Sequence, residues 1–466
     1  MRKLEIGEIK EAVRGRLVSG PPERYVQGVS TDTRTLEKDN LFVALRGDNF
    51  DGHTFVDRAV QAGAAGVVVE ERGLPEKLPE GVGVVLVKDT LAALGDLARY
   101  YRGLFGVTVV GVTGSNGKTT TKSMIAHLLA AAGTVLASPK SFNNFVGVPL
   151  TLFGLEEGTD FAVVEMGANH PGEIARLAAV CDPNIGVITN IGPVHLEGFK
   201  KIEGVASAKG ELLDALGTDD LAVLNLDDEW SMKIRVRTSA RVVTFGLGEK
   251  ADVRASAVQA DLEGIRFEGP ERTVFHVPVL GRHNVHNALA AVAVARRLGM
   301  DMKEIADGLA TFRTPEMRLE VVDVDGITVL NDCYNANPVS VRSALDVFAT
   351  IRPQGRTHVV LGDMRELGSD SQRLHEELGR ELGGRGMDHL WLVGPEMRHA
   401  AKVARASVGL LTKVHYAKTL EELDDQLTDS IESGDAVLVK GSRAMGMERV
   451  LDLIRASRIQ DATDVK

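Results

Sequence analysis

The sequence has little cysteine, few aromatic residues and no long apolar run. Its 466 residues include only Cys181 and Cys333, and aromatic residues make up 5%. A disulfide scaffold would need more cysteines in a much shorter chain, so two free thiols are expected. No apolar run approaches the roughly 18 residues of a membrane span, and the first residues, MRKLEIGEIKEAV, lack the apolar core of a signal peptide. The sequence therefore predicts a cytoplasmic protein.

Positive charge is also scarce. The chain has 54 lysines and arginines against 65 aspartates and glutamates, a formal net charge of −11. A general binder of nucleic acid or of an anionic membrane requires a basic surface. We therefore expect neither kind of partner, and any anionic ligand must be bound by local donors.

Length and periodicity predict three domains of the α/β class. A soft rule of about 150 residues per domain suggests about three domains in this chain. Short strands and a helical stretch predict a small α/β domain over residues 1–87. Apolar strands alternate with helices over residues 88–314, which is typical of a mostly parallel sheet. After a predicted linker near Thr314 and Pro315, residues 315–466 alternate in the same way and predict another α/β domain.

The clearest motif is the glycine-rich segment GVTGSNGKTT at residues 111–120. It follows an apolar strand and precedes a helical pattern, so its backbone N–H groups and the helix N-terminus can bind phosphate. Lys118 is expected to reach the β and γ phosphates, and Thr119 to bind magnesium. The strict pattern would place glycine at position 112, where this chain has Val112, and a chance Gly-Lys-Thr turn is the alternative. The residues predicted to bind ATP are Thr113, Gly114, Ser115, Asn116, Gly117, Lys118 and Thr119.

Polar side chains follow three of the predicted strands. Glu165 ends an apolar strand beside the phosphate loop, where it could hold magnesium or form an edge salt bridge. His195 follows the next strand, and a surface histidine is an equally good interpretation. Asp332, Asn335 and Asn337 follow a strand of the last domain, where doubly wound sheets bind ligands, or they form a polar turn before a proline.

Three further polar residues lie on helical patterns. Lys209 has no role that the residues alone can assign, because most helical lysines are solvated. Asn284 and Asn287 are spaced so that both amides can face one ligand, although asparagines also commonly cap helices.

Together these motifs resemble the Mur ligases of bacterial cell-wall synthesis, over nearly the whole chain. Their order and spacing carry the resemblance. The matching blocks are STDTR (30–34), LFVALRGDNFDGHTF (41–55), TGSNGKTTTK (113–122), NNFVGVPLTL (143–152), EMGANHPGEIA (165–175), ITNIGPVHLEGF (188–199), AKGE (208–211), YNANP (334–338), LGDMRELG (361–368) and VKGSRAMGME (439–448).

The resemblance implies a small α/β N-terminal domain that grips the UDP end of a sugar nucleotide, a central P-loop ATPase domain and a C-terminal Rossmann-like domain. YNANP and GDMRELG make the chain most similar to the member that adds D-alanyl-D-alanine to UDP-N-acetylmuramoyl-tripeptide. The arginine-containing DNPR motif of the ligase that adds the third amino acid is absent. The implied chemistry is ATP-dependent amide formation through an acyl phosphate, with two magnesium ions and a monomeric enzyme.

The resemblance also implies roles for individual residues. The implied magnesium ligands are Thr119, Glu165, His195 and Lys209, the last as a carbamate. The implied nucleotide contacts beyond the loop are Asn284, Asn287, Arg318 and Asp332. The implied catalytic residues are Lys118, Lys209, His195, Arg318 and Asp332. The implied substrate-binding residues are Ser30, Asp32, Arg34, Asn143, Asn144, Asn335 and Asn337. This chain departs from its relatives where they usually have glycine before Arg318, which here follows Met317.

Three other functions compete with this interpretation. Within the superfamily, the chain could be the ligase that adds the third amino acid, or a folylpolyglutamate synthetase, and YNANP argues against both. From a different class, it could be a P-loop switch that hydrolyses ATP without joining two substrates.

Overall fold

A computed structural model describes residues 1–47, 50–74, 77, 79–407, 409 and 412–464. Residues 48 and 49 of the block at 41–55, and residues 465 and 466 of the predicted last domain, lie outside the described residues. The described chain forms three α/β units in sequence order, so the predicted fold class is confirmed. The boundaries at 87/88 and 314/315 stay predictions.

The N-terminal unit contains a five-stranded sheet in the order β2-β7-β6-β5-β4, in which only β2 is antiparallel to its neighbour. Strands β1 and β3 form a separate antiparallel pair. The elements as far as residue 102 are β1 (Leu4–Glu5), α1 (Ile6–Ala12), β2 (Arg16–Ser19), β3 (Tyr25–Val26), β4 (Gly28–Ser30), β5 (Asn40–Val43), α2 (Val56–Gln61), β6 (Gly66–Val69), β7 (Gly83–Leu86) and α3 (Thr90–Arg102).

One apolar core continues from this unit into the next. Tyr101, near the end of α3, is fully buried in it. Its hydroxyl donates a hydrogen bond to Leu155 O and accepts one from Arg2 N, each at 2.7 Å. The N-terminal and central units are therefore packed through a shared core.

The central unit is built on a seven-stranded parallel sheet in the order β14-β13-β12-β11-β8-β10-β9. Its central strands are almost wholly apolar because both faces of a parallel sheet are covered by helices. The elements are β8 (Thr108–Thr113), α4 (Lys118–Leu129), β9 (Val135–Ala137), α5 (Gly147–Leu152), β10 (Phe161–Glu165), α6 (Glu173–Cys181), β11 (Ile185–Ile188), α7 (Leu196–Phe199), α8 (Ile202–Asp214), β12 (Leu221–Asn225), α9 (Glu229–Ile234), β13 (Arg241–Gly246) and β14 (Val253–Arg254).

A small antiparallel sheet, β15-β16-β17, extends this unit, and two helices follow it. Helix α10 is rich in alanine, which allows it to pack closely on α4 and the sheet. These elements are β15 (Ser256–Asp261), β16 (Gly264–Glu268), β17 (Val274–Val277), α10 (Asn284–Arg297) and α11 (Met302–Ala310).

The C-terminal unit has a six-stranded sheet in the order β18-β19-β23-β20-β21-β22, parallel except for β18. The elements are β18 (Glu320–Val324), β19 (Ile327–Asp332), α12 (Pro338–Phe348), β20 (Thr357–Gly362), α13 (Ser371–Leu382), β21 (His389–Val393), α14 (Met397–Ser407), β22 (Lys413–Ala417), α15 (Asp424–Ser430), β23 (Ala436–Lys440) and α16 (Arg449–Asp464).

The topology places two strand ends at one cleft. In the central sheet β8 lies between β10 and β11, and in the C-terminal sheet β19 lies between β18 and β23. The loops after β8 and β19 both line a shared cavity. Ligands of open α/β sheets bind at the carboxyl ends of strands, so this cleft is the candidate site.

Two other sequence predictions can be compared with the fold. Cys181 and Cys333 are both free, as expected, and the structure shows that both are buried. Across the described residues, none of the helices is both long and apolar enough to span a bilayer.

A column of aromatic rings lies on one face of the C-terminal sheet. The His389 ring stacks on His358 at 4.7 Å and on His415 at 5.4 Å, and Trp391 stacks on His415 at 3.7 Å between ring centres. Burial lowers the pKa of both His389 and His415 to about 4. His389 Nδ1 and His415 Nε2 are buried without a hydrogen-bond partner among the described residues. The folded domain therefore keeps both rings neutral.

This column predicts that the C-terminal domain loses stability in acid. Between a pH of about 6.5, the ordinary histidine pKa, and about 4, the unfolded chain binds protons that the folded chain does not, so stability falls as pH falls. Replacing His389 with phenylalanine should make the loss between pH 7.5 and pH 5 smaller. Urea unfolding followed by Trp391 fluorescence in a Trp230→Phe background reports on this domain alone. An equal pH dependence in the parent and the variant would contradict the interpretation.

Candidate active site

The candidate site is a cavity of about 620 Å³ between the central and C-terminal units. The glycine-rich loop and the start of α4 form one wall. The opposite wall includes Tyr334, which follows β19, and Lys440, which ends β23. The site therefore exists only while the two units are docked.

The glycine-rich loop requires glycine at two positions. Gly114 and Gly117 have φ angles of +149° and +80°, which disfavour any residue with a side chain. A Cβ on Gly117 would lie 2.3 Å from Asn287 Oδ1, and one on Gly114 would lie 1.9 Å from Thr189 Oγ1. The loop thus turns tightly into α4, where the free N–H groups of the first helical turn can bind an anion.

Lys118 and Asn116 show how the loop is held. Lys118 Nζ donates to Gly114 O at 2.8 Å, and burial lowers the pKa of its ammonium group. Asn116 N donates to Asn190 Oδ1 at 2.9 Å, and Asn190 Nδ2 donates to Asn116 O at 3.1 Å. Asn190 therefore holds the loop backbone at Asn116, and the Lys118 side chain lies across the loop.

The Thr119 hydroxyl connects three parts of the fold. It donates to Glu165 Oε2 at 2.8 Å and accepts from Arg318 Nη2 at 2.8 Å. The other Glu165 oxygen accepts from Asn143 Nδ2 at 2.8 Å, and Glu165 is 1% exposed. A buried carboxylate beside a hydroxyl is a set of hard oxygen donors, which is the type that magnesium prefers.

Arg318 reaches Thr119 from a strained turn. Met317 and Leu319, on either side of it, have φ angles of +57° and +51°. The Arg318 guanidinium also lies over the ring of Tyr334, 4.0 Å from its centre. A left-handed backbone favours glycine, so the family resemblance, which implies glycine at the position of Met317, is consistent with this turn.

Asp332 and Lys440 hold the turn that carries Arg318. Lys440 Nζ donates to Asp332 Oδ2 at 2.5 Å and to Asn335 O at 2.7 Å. The other oxygen of Asp332 accepts from Leu319 N at 3.2 Å. Both side chains are nearly buried, so this ion pair fixes the backbone that presents Arg318.

Asn337 is a second contact from the C-terminal unit to the loop. Its side-chain oxygen caps α12 by accepting from Ser340 N at 2.9 Å. Its Nδ2 donates to Asn116 Oδ1 at 2.7 Å. Asn335 lies on the cavity wall nearby and is exposed.

Asn284 and Asn287 hold α10 against α4. Asn287 Nδ2 donates to Asn284 Oδ1 at 2.7 Å, and Thr121 Oγ1 donates to Asn287 Oδ1 at 3.2 Å. Asn284 Nδ2 donates to Leu280 O at 2.7 Å. Both asparagines are buried and line the cavity, so they support the glycine-rich loop on the side that faces α10.

Two of the residues implied as metal ligands lie apart from the Thr119 and Glu165 pair. His195 lines the cavity, but its Nδ1 pairs with Glu366 of the C-terminal unit. Lys209 is 1% exposed and does not line the cavity, and its side chain makes no hydrogen bond or ion pair among the described residues. Burial, with the charge of Lys118, lowers the pKa of Lys209 well below its ordinary value. Within the described ranges, no three His, Cys, Asp or Glu side chains converge as a metal cluster.

The remaining implied substrate residues divide into two places. Ser30, Asp32 and Arg34 lie in the N-terminal unit and do not line the cavity. Arg34 Nη2 donates to Asp32 Oδ2 at 2.6 Å, and this contact lowers the pKa of Asp32 to about 2. Asn143 and Asn144 do line the cavity, and Asn144 Oδ1 accepts from Gly147 N at 2.8 Å.

The site residues that were not predicted from the sequence include four whose contacts are described here: Asn190, Tyr334, Glu366 and Lys440. All four lie inside the blocks that carry the family resemblance. Lys440 also ends an apolar strand, which is the signal that identified Glu165. A pattern in one segment could not show which residue of another segment each of them contacts.

Comparison with known proteins gives a consistent result over the whole chain. Three family descriptions match: "Mur ligase family, catalytic domain" at residues 25–102, "Mur ligase middle domain" at 112–295 and "Mur ligase, glutamate ligase domain" at 317–443. The chain is 37% identical over 463 residues to the UDP-N-acetylmuramoyl-tripeptide--D-alanyl-D-alanine ligase of Bacillus subtilis, covering 98% of this chain and 99% of that protein.

Two solved structures share the architecture. The crystal structure of MurF from Acinetobacter baumannii matches with a TM-score of 0.89 at 30% identity, over 98% of this chain and 99% of that one. MurF from Thermotoga maritima, solved in complex with ADP, matches with a TM-score of 0.80 at 29% identity, over 93% and 98% of the two chains.

The loop geometry predicts that Gly117→Ala weakens nucleotide binding. The new Cβ would occupy a left-handed position and meet the Asn287 amide, which is buried and cannot move freely. We expect ADP to bind at least about tenfold more weakly by calorimetry, equivalent to about 1.4 kcal/mol.

Gly158→Ala is the matched control. Gly158 has a φ angle of +85°, but a Cβ there would meet nothing within 4 Å. This control carries the backbone strain without the collision, so its ADP affinity should equal that of the parent protein. Unchanged affinity in Gly117→Ala would contradict the role of the loop.

Proposed function

The chain belongs to the Mur ligase family, and we propose that it is an ATP-dependent ligase that joins D-alanyl-D-alanine to UDP-N-acetylmuramoyl-tripeptide. The observation that carries this conclusion is the full-length identity of 37% to a ligase of that name. The site supports it physically, because the phosphate loop and an arginine from a second domain meet at Thr119. The product would be the UDP-linked pentapeptide for peptidoglycan synthesis.

We propose that ATP lies along the glycine-rich loop with its γ phosphate near Arg318. Lys118 is free to exchange its contacts with backbone carbonyls for phosphate oxygens, because its bonds to Gly114 and Ser115 are made only to the loop itself. Arg318 contributes a fixed positive charge from the opposite wall. Asp332 acts on the nucleotide indirectly, through the turn that carries Arg318.

Magnesium fits this donor set. Thr119 and Glu165 would hold the ion, with Asn143 orienting the carboxylate. When bound, magnesium neutralises the triphosphate and the charge that develops during phosphoryl transfer. We propose His195 and a carbamylated Lys209 as further contributors, and two ions rather than one.

The proposed reaction proceeds through an acyl phosphate. An oxygen of the tripeptide carboxylate attacks the γ phosphorus of ATP, and ADP leaves. The amine of D-alanyl-D-alanine, after losing a proton, attacks the acyl carbon, and phosphate leaves as the new amide forms. Lys118 and Arg318 stabilise the charge of the transferring group, and the docked C-terminal unit excludes water that would hydrolyse the intermediate.

The substrate positions follow from the lining of the cavity. We propose that Asn143 and Asn144 bind the tripeptide substrate. Asn335 and Asn337 would bind substrate from the opposite wall of the cavity. Ser30, Asp32 and Arg34 would bind the UDP end, remote from the reaction. The enzyme is proposed to act as a monomer, with the whole cavity formed by one chain.

The proposed activity is tested by mass spectrometry of the product. Purified protein is incubated with ATP, magnesium, UDP-N-acetylmuramoyl-tripeptide and D-alanyl-D-alanine, and phosphate release is measured in parallel. We expect the mass of the pentapeptide product, with phosphate release that requires both substrates. Product from the UDP-dipeptide and lysine or diaminopimelate would favour the ligase that adds the third amino acid. Glutamate added to a folate would favour the folylpolyglutamate synthetase, and phosphate release without either substrate would favour a switch.

The surroundings of Lys209 predict that carbon dioxide activates the enzyme. Burial favours the neutral amine, which adds to carbon dioxide to give a carbamate and release one proton. Removing bicarbonate should lower kcat, and adding it back should restore activity. A 13C-carbamate signal should appear with labelled bicarbonate.

Lys209→Arg places a positive charge at this position but cannot form the carbamate, so it tests whether a cation can replace the carbamate. We expect this variant and Lys209→Ala to lose about 10- to 100-fold in kcat and to be indifferent to bicarbonate, the range that is typical when a group supporting a metal is removed. A fully active Lys209→Ala protein would exclude the carbamate role.

A further inference from the structure

His195 and Glu366 form a contact between the central and C-terminal units. His195 Nδ1 and Glu366 Oε2 are within hydrogen-bond distance. His195 follows β11 of the nucleotide-binding sheet, whereas Glu366 follows β20 of the C-terminal sheet. This pair therefore exists only when the units are docked.

Both partners have a left-handed backbone. His195 has a φ angle of +50° and Glu366 one of +64°, and neither is glycine. Such conformations are unfavourable for residues with a Cβ, and they cluster at sites where the position of a side chain matters. A chance contact across a domain boundary would rarely join two residues that both have a strained backbone.

The two turns are also packed tightly against their surroundings. A Cβ on Gly368 would lie 3.1 Å from Glu197 Cα, so the Glu366 turn lies directly on the His195 turn. On its other side, a Cβ on Gly198 would lie 1.9 Å from Asn169 O. Within the C-terminal unit, Asp363 Oδ1 anchors the start of the Glu366 turn by accepting from Met397 N at 2.9 Å. Neither turn can shift freely once the units have docked.

Stability alone does not explain the pair. The Glu366 side chain is 53% exposed and that of His195 is 24% exposed, and ion pairs this accessible add little to stability. The contact matters more for which ring nitrogen of His195 carries the proton. A carboxylate that accepts from Nδ1–H holds neutral imidazole in the tautomer whose lone pair is on Nε2. His195 lines the cavity, and its Nε2 has no hydrogen bond among the described residues.

We propose that Glu366 is a positioning residue for the ligation reaction: as the C-terminal domain docks, Glu366 fixes His195 with the Nε2 lone pair available to the nucleotide cleft. The proposal rests on the function assigned to the cleft above. It explains why His195, implied as a metal ligand, contacts the other domain through its remaining nitrogen. A carboxylate behind a histidine in this way typically orients a ligating or proton-accepting ring.

The first test reads the tautomer directly and does not depend on activity. 15N-histidine NMR of the full chain, with His195 assigned by comparison with His195→Gln, reports which ring nitrogen carries the proton. In the presence of ADP we expect the Nδ1–H form in the parent protein and loss of that form in Glu366→Ala. Glu366→Gln keeps an acceptor oxygen and should retain part of it. The same tautomer in the parent and Glu366→Ala would overturn the proposal.

The second test separates positioning from binding. Glu366→Ala should lower kcat for pentapeptide formation about 10- to 100-fold and leave the calorimetric Kd of ADP unchanged, with partial recovery in Glu366→Gln. Glu377→Gln is the control, because that residue pairs with Arg373 within α13 and should leave kcat unchanged. An unchanged kcat in Glu366→Ala would overturn the positioning role. If the parent protein forms no pentapeptide, the proposed function fails, while the NMR result still decides the contact between Glu366 and His195.

Discussion

The site depends on one hydroxyl group, that of Thr119. It donates to the buried carboxylate of Glu165 and accepts from the guanidinium of Arg318, so three segments that are distant in sequence meet at one oxygen. Thr119 lies in the first turn of α4, Glu165 ends β10, and Arg318 enters from the C-terminal unit. A hydroxyl is suited to this position because it can donate and accept at the same time. Each of the three groups limits where the other two can lie.

The C-terminal unit completes the site through contacts that depend on its orientation. Arg318 reaches the start of α4, Asn337 reaches the crest of the loop at Asn116, and Glu366 reaches His195 at the rim. The ion pair of Asp332 and Lys440 keeps the turn of Arg318 in a strained conformation. The proposed phosphate site and the docked domain therefore share contacts, which suits the proposed acyl phosphate because such an intermediate must be kept from water.

The strands that build the cleft were predictable because they are buried on both faces. The strands that include Val110, Val163 and Val223 are nearly continuous runs of apolar residues, as parallel strands require. By contrast, β13 and β22 each begin with an exposed charged residue, Arg241 and Lys413, and are less buried, so their apolar runs are shorter. The alternation of strands and helices then determines the fold class with little ambiguity.

By itself, the sequence determined the local chemistry of this protein: a loop whose glycines permit a tight turn, a lysine and a threonine at a helix N-terminus, and a glutamate at a strand end. These features depend on neighbouring residues, so a linear pattern carries them. Only the tertiary structure decided which residues act together. It paired His195 with Glu366, separated Lys209 from the cavity, and placed Lys440 beneath Asp332. The two pairs join residues more than a hundred positions apart, and the position of Lys209 depends on burial. Both arise from tertiary packing within and between domains, which no local pattern records.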